Sequence, residues 1–161
     1  MRDFPVTGRS GMYKSIVVGT DGSDTAAFAV NHAIELAKAT GATLHVVTAH
    51  HKLSPGIAAL GTEAGGPVFD THEVNQSIAL QSEKICEVAL RSAKDAGVPA
   101  ESHVQSGDPA DVLVAVAEAV DADLVVVGNR GMSGVKRFVL GSVPNKVSHH
   151  CPCHLLIVQT C

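Results

Sequence analysis

Short runs of aliphatic and β-branched residues alternate with longer stretches in which apolar positions return every three or four residues. Ser15-Ile16-Val17-Val18-Gly19-Thr20 reads as a buried strand that ends in the turn Asp21-Gly22-Ser23. Ser23 then serves as cap for a helix over about 24–39, with Val30, Ala33, Ile34 and Ala37 as its apolar stripe and Gly41 as its stop. Thr43 to Ala49 is a second strand. Residues 50–69, with Pro55, Gly56, Gly61, Gly65, Gly66 and Pro67, read as a long loop with a helical turn near Ile57–Leu60. A helix over roughly 70–96, with Ile78, Ile85 and Ala89 on one side, stops at Gly97-Val98-Pro99. The third strand, Glu101 to Gln105, is polar enough to lie near a sheet edge. Asp108-Pro109 opens another helix, with the stripe Leu113, Val116, Ala117 and Val120. Leu124-Val125-Val126-Val127 is a fully apolar fourth strand. A glycine-rich loop from Gly128 to Gly141, a short helix capped by Ser142, and a fifth strand from Cys153 to Gln159 complete the chain.

Strands that alternate with helices imply parallel pairing and right-handed crossovers. The expected fold is α/β: a doubly wound five-stranded parallel sheet in the order 3-2-1-4-5, forming a single domain over 13–161 behind a flexible lead-in at 1–12. In that order the winding reverses between strands 1 and 4. Ligands of such sheets bind beyond the carboxyl ends of the strands at the reversal.

Composition supports a packed core and narrows the function. Hydrophobic residues make up 45% of the 161 positions, but aromatics only 3%, so the core must be aliphatic. A formal net charge of -4 disfavours nucleic acid or a membrane surface as the partner. No run approaches 18 apolar residues, and Met1 to Gly11 lacks the apolar segment of a signal peptide, so a cytoplasmic location is expected. The four cysteines, Cys86, Cys151, Cys153 and Cys161, include no C-x-x-C unit and are expected to be reduced.

Two segments meet at the predicted reversal: Gly19-Thr20-Asp21-Gly22-Ser23 and Gly128 to Ser142. Glycines let main-chain N–H groups approach an anion closely, and a helix beginning at Ser142 would aim its positive end at the same place. Arg130, Lys136 and Arg137 add charge, and Asp21 can accept hydrogen bonds from a ribose or an amino group. Neither a Walker A sequence nor G-x-G-x-x-G is present, which excludes a P-loop NTPase and a dinucleotide Rossmann enzyme.

At these residues the chain resembles the universal stress protein family, specifically its ATP-binding branch with the hallmark G-x2-G-x9-G-(S/T). The spacing is intact as Gly128, Gly131, Gly141 and Ser142, and Ile16 to Ser23 and Ser148 to Cys153 fit as flanks. The resemblance spans about Tyr13 to Thr160. It implies an adenine-nucleotide-binding regulatory protein of the stress response, with ATP and Mg or Mn as ligands. Gly19, Thr20 and Asp21 would then sit at the adenine and ribose end, and Ala49 would line the adenine pocket. Val127, Gly128 and Gly131 would wrap the ribose and α-phosphate, and Gly141, Ser142 and Val143 would hold the outer phosphates. It also implies a homodimer joined through the last strand, here Leu155 to Val158. The run Ser142-Val143-Pro144-Asn145 is one that suits cyclic AMP in some relatives, so ATP and cyclic AMP both stand as candidates.

Other chemistry is thinner. His149, His150, Cys151, Cys153 and His154 are dense in ligand atoms but lack zinc spacings, and they read as a helix end followed by a strand, with no metal site. His45 and His103 fall in strands as core or edge residues, and His50-His51 opens the long loop. No catalytic triad can be assembled, and Asp21 is the only evident base for water attack. Weak hydrolysis or phosphotransfer in the same cleft is therefore the enzymatic alternative. A flavin carrier would need the aromatic residues that this chain lacks.

Overall fold

The computed structural model describes residues 12–54, 70–129 and 140–159. Its elements follow in the order β1 (Ser15–Gly19), α1 (Asp24–Thr40), β2 (Thr43–His50), α2 (Thr71–Asp95), β3 (Ala100–Ser106), α3 (Pro109–Ala119), β4 (Leu124–Gly128), α4 (Ser142–His150) and β5 (His154–Val158). The lead-in, the stretch 55–69 with its expected turn at Ile57–Leu60, and the segment with Arg130, Gly131, Lys136 and Arg137 lie outside the described residues.

The sheet has five parallel strands in the order β3-β2-β1-β4-β5, as the alternation of elements predicts. Val18 stands opposite Val46 on one side and Val126 on the other, and Val126 opposite Leu156. Successive side chains point to opposite faces, so the apolar runs feed two cores. Ile16, Val18, Leu44, Val46, Leu124 and Val126 pack beneath α1 and α2, whereas Val17, Val47, Val125 and Val127 pack beneath α3 and α4. Each fully buried aliphatic side chain contributes about 1.5–3 kcal/mol relative to exposure, so a near-continuous aliphatic strand is the signature of a sheet covered on both faces.

Helix ends obey local chemistry. Ser23 accepts from the Ala26 amide at 3.1 Å, and Gly41, at φ 73°, ends α1 with its N–H on the Ala37 carbonyl. Asp70 caps α2 through the His72 amide, and Asp108 caps α3 through Ala110 and Asp111. The polar strand β3 lies at the edge, as expected.

Two expectations need correction. The buried line of α2 is Ser82, Cys86, Ala89 and Ala93; Ile78 and Ile85 are only half-buried. Small residues let α2 sit close to the sheet, and Ile85 instead runs under Gly22, where a Cβ would lie 2.9 Å from its Cγ1. The last strand begins at His154, not Cys153.

Candidate functional site

β1 and β4 are neighbours, and the chain leaves their carboxyl ends toward opposite sides of the sheet. A cleft of about 260 Å³ opens there, lined by Gly19, Thr20, Asp21, Ala26, Val47, Ala49, Pro109, Leu113, Val127, Gly128, Gly141, Ser142, Val143 and Pro144. Every site residue proposed from sequence is in that lining except Arg130 and Gly131, which lie outside the described residues.

Sequence reasoning missed Ala26, Val47, Pro109, Leu113 and Pro144. Val47 was accessible from strand alternation, since it shares a face with Ala49. Pro109 and Leu113 belong to α3, whose first turn comes to the same end of the sheet. Leu113 forms the floor beneath Gly19, where a Cβ would fall 2.9 Å from its Cδ1.

On the β1 side the backbone is tightly specified. The Thr20 amide donates to the Val47 carbonyl at 2.9 Å, which extends the ladder one residue past β1. Thr48 Oγ1 donates to the Thr20 carbonyl at 3.1 Å. Asp21 Oδ1 accepts from the Ser23 amide at 3.0 Å, which fixes the carboxylate at the mouth of the cleft.

On the β4 side, Asn129 accepts from the Gly141 amide at 3.0 Å, and Asn145 donates to the Gly141 carbonyl at 3.1 Å. The residue that caps α4 is therefore Gly141, not Ser142 as expected; Ser142 is the first helical residue, and none of the described side chains caps this end. The Gly141 amide is turned to Asn129, and Pro144 has no N–H. Of the first-turn amides, those of Ser142 and Val143 are the ones the helix itself leaves unused. Three helices bring their first turns to this cleft. Ser23 and Asp108 cap two of them, so α4 alone among the three presents a positive end that no described side chain caps. That is anion-binding geometry.

Lys146 ties α4 to α3, with Nζ 3.2 Å from Asp108 and 2.8 Å from Asp111. Hydrogen bonding to Asp111 raises the Lys146 ammonium above the usual lysine range. The pair is exposed, so it orients the two helix ends more than it stabilises them.

Residues 12–159 of the chain match the model of the universal stress protein family. The chain belongs to that family. Universal stress protein YxiE of Bacillus subtilis is 34% identical over 148 residues, covering 92% of this chain and 100% of that protein. A crystal structure of a universal stress protein in complex with cAMP is 35% identical, with a TM-score of 0.65, and covers 92% of this chain and 98% of that one. A universal stress protein from Archaeoglobus fulgidus in complex with dAMP shares the fold at 23% identity, with a TM-score of 0.63 over 91% of this chain and 98% of that one. Adenine nucleotides are thus bound by members of this universal stress protein fold.

Two further groupings lie away from the cleft. Cys151 and Cys153 bring their Sγ atoms to 3.9 Å across the bend that links α4, which ends at His150, to β5; the extended segment expected there begins only at His154. The hydrogen bond from Cys153 lowers the Cys151 thiol to about 6. His45 Nδ1 and His103 Nε2 stand 3.1 Å apart on neighbouring strands, a pairing visible only once the β2–β3 register is known. No helix of the described residues is long and apolar enough to cross a membrane.

Proposed function

We propose that this universal stress protein is a regulatory protein that binds an adenine nucleotide in the cleft between β1 and β4. Its phosphate lies on the first turn of α4, and its nucleoside is directed toward Asp21 and Ala49. The end of α4 at the sheet's reversal carries this reading, because it offers main-chain donors and a positive pole for which none of the described side chains competes.

Cyclic AMP is the ligand that these donors favour. Two amides and the Ser142 hydroxyl suit a single phosphodiester, and Pro144 removes the next amide that an extended phosphate chain would use. The 35%-identical structure holds the same ligand. ATP is the second reading, favoured by the intact spacing of Gly128, Gly131, Gly141 and Ser142. Mg or Mn could accompany ATP. With Asp21 as the carboxylate of the described lining, such an ion would be held by phosphate oxygens and water more than by the protein. That lone carboxylate, already bonded to Ser23, also favours retention over rapid hydrolysis.

Displacement of labelled cyclic AMP by AMP, ATP with and without magnesium, and inorganic triphosphate tests the choice. Cyclic AMP should compete best, with no multiple turnover of ATP. If ATP with magnesium displaces the label at lower concentration than cyclic AMP, the second reading replaces the first. The half-exposed apolar strand β5 is the end strand of the sheet among the described residues, an edge of the kind that recruits a partner. We read it as the homodimer interface, which sedimentation of the purified protein checks.

A further inference from the structure

His45 lies on β2 and stands in register with Glu101 on β3; His103, two residues on, stands opposite Val47. Alternation along parallel strands therefore sends all three side chains to the same face. Their ligand atoms lie within 4.8 Å of one another. His45 Nδ1 is 3.1 Å from His103 Nε2 and 3.7 Å from Glu101 Oε2. His45 is 7% exposed and Glu101 reaches into solvent, so the group has a buried base and an open mouth.

We propose that His45, His103 and Glu101 form a site for a divalent transition metal of the zinc type, at the open edge of the sheet. Zinc–nitrogen bonds of about 2.0–2.1 Å place two tetrahedral ligands roughly 3.3 Å apart. The two imidazole nitrogens are within a few tenths of an ångström of that spacing, and the carboxylate needs only a small inward rotation of an exposed side chain. In the metal-free protein one imidazole N–H bridges the two rings. An ion entering between them takes a lone pair from each nitrogen: the ring that donated loses its bridging proton to solvent and regains one from solvent at its other nitrogen, so both imidazoles stay neutral. Two imidazoles and one carboxylate select zinc, cobalt or nickel over magnesium or calcium, and the fourth position remains for water. The ion would fasten edge strand β3 to β2, on the face where Val47 and Ala49 reach the nucleotide cleft.

The test uses tag-free full-length protein stripped with a chelator. Zinc is titrated by calorimetry and cobalt by its visible spectrum. The expected result is one ion per chain, a four-coordinate cobalt spectrum, and slower hydrogen exchange of the β3 amides when zinc is added. His103→Gln should weaken zinc by more than roughly tenfold, the least that loss of even an outer-shell partner costs. Glu101→Gln, at an exposed position that leaves the fold intact, should weaken it less. Cys151→Ser with Cys153→Ser, and His149→Gln with His150→Gln, should leave it unchanged. The proposal is overturned if no stoichiometric ion binds, if affinity survives both His103→Gln and Glu101→Gln, or if it is lost in the cysteine or His149/His150 variants.

Discussion

The Gly141 amide donates to the Asn129 carbonyl at 3.0 Å, which joins the end of β4 to the start of α4 across the glycine-rich segment between them. Asn129 is itself anchored, since its own amide donates to the Val158 carbonyl at 2.8 Å. The end of α4 that faces the cleft is thus fixed to the sheet before any ligand arrives. Preorganised donors of this kind bind without an ordering cost.

Gly141 has an ordinary φ of -59°, so space and not backbone strain demands glycine there. A Cβ would lie 3.3 Å from the Asn129 oxygen and 3.5 Å from Pro144 Cδ. Gly141→Val should therefore push α4 away from β4. Nucleotide affinity should fall by more than about tenfold, or about 1.4 kcal/mol, while circular dichroism stays native. Calorimetry on the folded variant checks this.

Asp21→Ala removes an acceptor at the nucleoside end and leaves α4 untouched. It should weaken cyclic AMP and ATP while sparing inorganic triphosphate. Asp21→Asn keeps the acceptor for the Ser23 amide and separates the turn from the ligand contact. Competition assays with all three ligands distinguish these outcomes.

Asp108→Ala removes the cap of α3 and the partner of Lys146. The lost cap should cost about 1 kcal/mol, lowering Tm by about 2–4 °C. The exposed ion pair should add little to that loss, so Lys146→Met should scarcely move the melting curve.

Burial lowers the His45 imidazole below its ordinary value; His103 pushes it the same way, and Glu101 opposes. The unfolded chain then binds the proton more readily. The contribution of His45 to stability is present above its unfolded value of about 6.5 and is lost as pH falls through the lower folded value. In chelator-containing buffer, denaturant midpoints should drop between pH 7.5 and pH 5, and His45→Gln should flatten that drop.

The sequence disclosed the sheet order and most of the described cleft because buried parallel strands and their turns are written in local runs: Val17 and Val127, Gly19 and Gly128, Asp108 before Pro109. What it hid depends on distant contacts. The seam of α2 runs through Ser82 and Cys86 because the helix packs close, with Cys86 Sγ 3.2 Å from Thr48 Oγ1. A count of apolar residues favours Ile78 and Ile85 instead. Ser142 has the chemistry of a cap, but the tie from Gly141 to Asn129 starts the helix one residue earlier. The meeting of His45 with His103 needed a register between strands that no local pattern states.

Amide chemical shifts followed by nuclear magnetic resonance as cyclic AMP is added test the binding claim most directly. The account predicts saturable shifts at Ser142, Val143, Gly19 and Asp21, with the amides of β3 unmoved. Saturable shifts elsewhere in the protein, or none at the two α4 amides at millimolar ligand, would contradict it.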